Sequence, residues 1–151
     1  MFHSRISRIG FAVAAASMSM VGVIGASASP AWAGSFVGIK CTGLNGNIGT
    51  TVQLTGCSGN TGGSSGPIPS TSLATGGTIT WANSDTTTVT LSVASGGVGC
   101  PAKNTLYTAT GTSTADTTGS APVGGKVKVF ACVNNKSGAI TLEPGKKAKI
   151  G

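Results

Sequence analysis

The chain is 151 residues long, 25 of them glycine, with ten lysines and arginines against three carboxylates and a net charge of +7. That length indicates one domain, and a single histidine excludes most metal-ligand and imidazole-based catalytic constellations at the outset. The basic excess bears on solubility and on acidic partners, not on the fold.

The first segment reads as an export signal. Arg5 and Arg8 precede the apolar run "FAVAAASMSMVGVI", and Pro30 and the small-residue motif Ala31-Trp32-Ala33 follow it. A basic start, a short apolar stretch and an A-x-A site make a secretory signal peptide. The run is too short for a membrane span, which takes about 20 apolar residues. Ala26-Ser27-Ala28 is a second possible site. Pro30 would end the apolar helix just ahead of Ala33, which favours a mature N-terminus at Gly34. The expected organisation is therefore a signal at 1–33 and one domain at 34–151. Removing the signal also removes His3, Arg5, Arg8, Met1, Met18 and Met20. What remains carries eight lysines less three carboxylates (Asp85, Asp116 and Glu143), a net +5. Any function of the mature chain is built without imidazole, guanidinium or thioether.

Period-two alternation dominates the rest, and no window places apolar residues at i, i+3, i+4 and i+7. The pattern predicts strands at 36–43, 50–56, 77–82, 86–95, 104–114, 125–134, 139–143 and 146–150. In 86–95, Val89, Leu91 and Val93 share one face, with Thr88, Thr90 and Ser92 on the other. In 77–82, Ile79 and Trp81 oppose Thr78 and Thr80. In 125–134, Val127, Val129, Ala131 and Val133 alternate with Lys126, Lys128, Phe130 and Cys132. Turn chemistry separates the strands: "NGNIG", "ANSD", "DTTGSAPVGG", "NNKSG" and "EPG". Residues 58–77 form one long loop, part of it held extended by Pro67 and Pro69. Short strands joined by glycine-rich turns predict an all-β antiparallel sandwich of about seven or eight strands, immunoglobulin-like or jelly-roll-like.

Large apolar residues are sparse in 34–151, so covalent support is expected. An even count of cysteines in an exported chain reads as disulfides. The spacings of Cys41, Cys57, Cys100 and Cys132 do not suit a zinc site, which uses closely paired ligands. A hairpin of 36–43 with 50–56 would set Cys41 opposite Cys57. A hairpin of 104–114 with 125–134 would bring Cys132 close to Cys100. Cys41–Cys57 and Cys100–Cys132 is accordingly the expected pairing.

The row of hydroxyls in "YTATGTSTADTT" raises a binding reading. Thr78 and Thr80 beside Thr86, Thr88, Thr90 and Ser92 would form a hydroxyl carpet that resembles the threonine arrays of β-rich ice-binding proteins. Those arrays repeat in register, and this chain has no repeat. A solvated strand face accounts for the row, because threonine suits a pleated surface while its hydroxyl faces water. Catalysis lacks parts: once His3 is gone only lysine or a carboxylate could serve as base for a serine or threonine nucleophile, no S-x-x-K occurs, and Asp85 and Asp116 sit in turns where aspartate caps backbone groups. Neither a cofactor nor a metal is indicated.

Two groups of side chains remain as candidates. Lys126 and Lys128 on one strand face, with Lys146, Lys147 and Lys149 near the end of the chain, read as contacts for an anionic polymer. The plainer role is solubility and protection of strand edges. Nucleic acid is not expected, because no arginine or interleaved aromatic accompanies the charge. Trp81 and Phe130 are the aromatics that would line a ligand pocket, while the face Trp81 shares with Ile79 reads as core. Asn135-Lys136-Ser137 is a sequon in a host that glycosylates its exports.

Over nearly its whole length the mature chain resembles small secreted actinobacterial envelope proteins of unassigned function. The resemblance rests on "AWA", "CTGLNG", "LTGCSG", "GTITWANSDTTTV", "YTATGTSTADTTGSAPVGGKV" and "LEPGKKAKI". It implies an exported or cell-surface location and β architecture, and it assigns no active residue. In composition the chain also resembles the neocarzinostatin-type chromoproteins, which implies a two-disulfide carrier of a small ligand. The expectation drawn is a non-catalytic secreted or envelope protein with a structural or surface-interaction role. Its partner would be an anionic envelope polymer or another envelope protein. A small-ligand carrier is the alternative, and an extracellular hydrolase a distant one.

Overall fold

Buried and exposed residues alternate along most of the strands, and the alternation decides which face of the sheet turns inward. In the computed structural model, which describes residues 37–151, the strands are β1 (Ile39–Asn47), β2 (Thr51–Cys57), β3 (Ile68–Pro69), β4 (Gly76–Thr80), β5 (Thr86–Ser95), β6 (Asn104–Asp116), β7 (Lys126–Asn134), β8 (Ala139–Leu142) and β9 (Ala148–Ile150), with one helical turn, α1 (Ser72–Thr75), between β3 and β4. The expected signal at 1–33, its cleavage site and Gly34 lie outside the described residues.

The fold is all-β and antiparallel, as the alternation predicts. The sheet runs β3-β2-β1-β8-β7-β6-β5-β4, and β9 pairs with both β1 and β7. Strands β8 and β9 share one lane: β8 pairs with Gly46 and Asn47 of β1 and with 131–133 of β7, while β9 pairs with 39–41 of β1 and 127–128 of β7. The lane is broken between them by a turn in which Lys146 N–H donates to the Glu143 carbonyl. At the far side, residues 64–66 join the sheet's two free ends. Ser64 bridges Thr55 of β2 and Ser65 bridges Trp81, and Gly66 N–H donates to the Thr80 carbonyl at 2.7 Å. The sheet thus curls round a single interior. The finer expectation of an immunoglobulin-like or jelly-roll-like order needs Greek-key crossings. Here the strands follow one another round the sheet, and only the β8–β9 lane returns to β1.

The interior is filled from the inward-facing positions, among them Ile39, Leu44, Val52, Leu54, Ile79, Trp81, Val89, Val127 and Ile150, all buried. Trp81 is the largest of the fully buried side chains, and its indole N–H has a partner inside. Nε1 donates to Thr87 Oγ1 at 2.8 Å, and Thr87 Oγ1 donates to Asp116 Oδ1 at 2.6 Å. The Asp116 carboxylate also accepts from Thr118 Oγ1 and from the backbone N–H groups of Ser120 and Ala121. This follows the turn-capping role read from "TADT". Thr87 faces inside by the same alternation as Val89, and a register shift between Thr88 and Val89, which leaves Thr114 of β6 without a partner, sets Asp116 opposite it.

Most strand ends shift by a residue or two from the sequence reading, and the larger departures are in β1 and in the loop 58–77. β1 runs on to Asn47 through Gly46, at φ 136°, where a Cβ would strike the Thr51 carbonyl oxygen. Glycine there keeps the strand paired into a turn that starts only at Asn47. The long loop 58–77 carries β3, the bridging residues 64–66 and α1. Pro69 fits β3 because the strand is two residues long and lies at the end of the sheet's hydrogen-bonded order. α1 is a single turn, too short to leave a helical period in the sequence.

Both expected disulfides form, and they are the only pairing present. Cys41 lies directly opposite Cys57 in the β1–β2 register. Cys100–Cys132 ties the 96–103 segment back onto the outer face of β6 and β7 over Leu106, which is buried there, apart from the main core. Each bridge contributes about 2–4 kcal/mol through the unfolded chain.

Thr87→Val should destabilise the fold by about 1–3 kcal/mol, because it leaves the buried indole N–H and an Asp116 oxygen without their shared partner. Thr87→Ser, which keeps the hydroxyl, should cost less. Equilibrium denaturant unfolding of the two variants measures the difference, and equal stability for Val and Ser would contradict this role.

Candidate functional site

The lysines converge because β9 lies between β1 and β7. Its residue Lys149 is paired with Lys40 on one side and with Lys128 on the other. The same row continues from Lys128 to Thr110 of β6 and on to Ser92 of β5. Three ammonium-bearing side chains therefore stand side by side on the outer face, each about 4.8 Å from the next at the backbone. One step along β7, Lys126 pairs with Thr112 and so adds a fourth lysine to the face. All four are exposed.

The break in the β8–β9 lane adds to this face. Gly145, at φ 76°, turns the chain, and Lys146 and Lys147 line a cleft of about 420 Å³ together with Lys128, Lys149 and Phe130. Phe130 lies at the centre: Lys128 Nζ is 4.8 Å from its ring centroid and Lys146 Nζ 5.7 Å. The ring's negative face partly offsets two like charges that would otherwise meet only solvent.

The chain's carboxylates are engaged elsewhere. Asp85 accepts from Asn83 Nδ2 at 2.7 Å and from Thr117 Oγ1 at 3.2 Å. Asp116 is held in the Trp81 network described above. Glu143 lies against Gly99, where a Cβ would collide with its Oε1. None of these contacts is to a lysine. Like charges placed directly opposite each other on neighbouring strands are destabilising, and the contacts of the three side-chain carboxylates do not offset them.

All five lysines named from the sequence, Lys126, Lys128, Lys146, Lys147 and Lys149, sit on this one face. Sequence reasoning missed Lys40. Its alternation with buried Ile39 and Cys41 marks it as outward-facing, but nothing in the sequence says that β1 and β7 share β9. The two aromatics separate. Trp81 is 2% exposed and wholly structural. Phe130 belongs to the lysine cleft on the outer face and not to the apolar cleft on the inner one. The aromatic that lines that inner cleft is Tyr107, on the opposite face of the sheet.

The threonine row is also placed. Thr78 and Thr88 hydrogen-bond to each other at 3.0 Å, and Thr90 meets Thr112 at 3.4 Å. These hydroxyls partly satisfy one another across the strands, as a solvated face does. Among the described residues no cluster of histidine, cysteine or carboxylate side chains could hold a metal ion, and no helix is long and apolar enough to cross a membrane. Comparison with known protein families, with curated proteins and with solved structures finds no match.

Lys149 is the middle member of the row, so Lys149→Gln should raise stability at low salt, by up to about 1 kcal/mol. The gain should fade near 1 M salt, where the Debye length is about 3 Å. Thermal unfolding across a salt series reads both effects, and a variant no more stable than the parent at low salt would show that the row carries no strain.

Proposed function

We propose that this is an exported, non-catalytic protein that binds an anionic polymer of the cell envelope through the face formed by Lys40, Lys126, Lys128, Lys146, Lys147 and Lys149. The observation that carries the reading is the uncompensated row Lys40–Lys149–Lys128, built by backbone pairing and not by flexible tails. Charge positions recur at about 4.8 Å across the strands and about 6.8 Å along them. That spacing suits a linear polymer bearing a phosphate or carboxylate at every unit. Thr110, Ser92 and Thr112 extend the same face with hydroxyl donors.

Export is supported by the signal-like first 33 residues and by the two disulfides, which persist in oxidising compartments. A hydrolytic role has less support. Asp85 and Asp116 spend their oxygens on turn and core hydrogen bonds, and Glu143 stands apart from them beside Gly99.

Exposed ion pairs are screened over about 8 Å at physiological salt, so binding to immobilised polyphosphate should weaken steeply as salt rises. The triple variant Lys128→Gln, Lys146→Gln, Lys149→Gln should lose most of that binding at low salt with its fold intact. Undiminished binding by the variant would return these residues to a role in solubility. A second expected outcome concerns export: intact mass of the secreted protein should place the N-terminus at Gly34, and retention of Met1 would contradict it.

A further inference from the structure

The curled sheet is finished differently at its two ends. Near Trp81 the interior is sealed by residues 61–66 and by the Asp116 network. At the other end, where β1 and β7 finish and β6 begins, only α1 lies across the opening. Leu73, half-buried, is the one large apolar side chain that α1 contributes. A cleft of about 230 Å³ remains beside it, walled by Leu44, Leu91, Val93, Tyr107 and Ile140. A smaller void of about 40 Å³ lies deeper, and Leu44, Leu73 and Leu91 border both.

This cleft explains a departure from the sequence pattern. Val93 continues the inward face of Val89 and Leu91, yet it is 38% exposed. It stands at the rim of an opening and not in the core. Ile48, 46% exposed, stands at the rim as well. Three lining residues are alanines, Ala74, Ala109 and Ala131. A larger side chain at any of them would fill the space, since packed interiors leave few voids larger than a water molecule.

We propose that the cleft is a binding site for a small, uncharged, largely hydrocarbon ligand: a single aromatic ring or a short alkyl chain bearing at most one hydroxyl or carbonyl. The lining side chains supply only two polar groups, those of Ser70 and Tyr107, and no charge. The size sets the class of ligand. The space is below the 300–1,000 Å³ usual for drug-sized molecules, and above the roughly 150 Å³ apolar cavity that accepts benzene. Its floor lies inside the curled sheet, out of reach of a flat protein surface. The site is on the concave side of β7, at Val129 and Ala131, whereas the lysine face is on the convex side, so the two are independent.

Methyl-detected NMR titration of the oxidised exported protein with benzyl alcohol tests the proposal. Saturable shifts are expected at Leu44, Leu73, Leu91 and Val93 and not at the outlying Val98 and Val123. Ala109→Phe should weaken binding at least tenfold by occupying the cleft. Val93→Phe, at an already exposed rim position, should do the same where the Ala109 variant fails to fold. The Lys128→Gln, Lys149→Gln variant should bind benzyl alcohol as the parent does, which separates this site from the polymer-binding face. Unsaturable shifts spread over the surface, or parent-like binding by Val93→Phe, would overturn it. So would concentration-dependent shifts at the cleft without the probe, which would assign it to a second copy of the chain.

Discussion

The backbone lane of β8 and β9 between β1 and β7 is the constraint on which the other features rest. Without it β1–β2–β3 and β4–β5–β6–β7 meet only through residues 64–66, and the sheet stays open along its other side. With it, Ile150 is inserted between Ile39 and Val127 on the inside, and Lys149 between Lys40 and Lys128 on the outside. A three-residue strand thereby completes the core and assembles the charged row in the same stroke. Alternation along the strand makes these two outcomes inseparable: a register slip of one residue would bury Lys149 and expose Ile150.

The break in that lane matters as much as the pairing. A continuous strand from 139 to 150 would leave a flat outer surface. The turn at Gly145 instead lifts Lys146 and Lys147 beside Phe130, so the charge surrounds a cleft with an aromatic floor. On the inner side the same stretch of β7 presents Val129 and Ala131 to the open end. One strand therefore serves a cationic face and an apolar cleft, and its alternating "KVKVFA" is the signature of both.

Much of this was legible in the sequence because alternation and turn chemistry are local. The positions of eight strands, the inward valines and isoleucines, and both disulfides follow from period two and from hairpin registry. Cys41 opposite Cys57 is the clearest example. What was not legible is non-local. Lys40 joins the lysine row only because a distant three-residue strand pairs with β1. Trp81 reads as core from the face it shares with Ile79, but that its N–H is taken by Thr87, which in turn donates to Asp116, shows only in the fold. Val93 continues an inward pattern, and only the missing cover at the open end makes it a rim residue. The segment 58–77 shows glycine, serine and proline, which mark a loop, yet its residues 64–66 supply the hydrogen bonds that join the sheet's ends.

The central claim is that Lys149 lies between Lys40 and Lys128, and cross-strand nuclear Overhauser effects measure it most directly. Contacts from the backbone protons of β9 to both β1 and β7, with slowly exchanging amides in the lane, are the expected result. Contacts to one neighbour alone, or fast exchange throughout 148–150, would contradict the closed sheet and with it the lysine row.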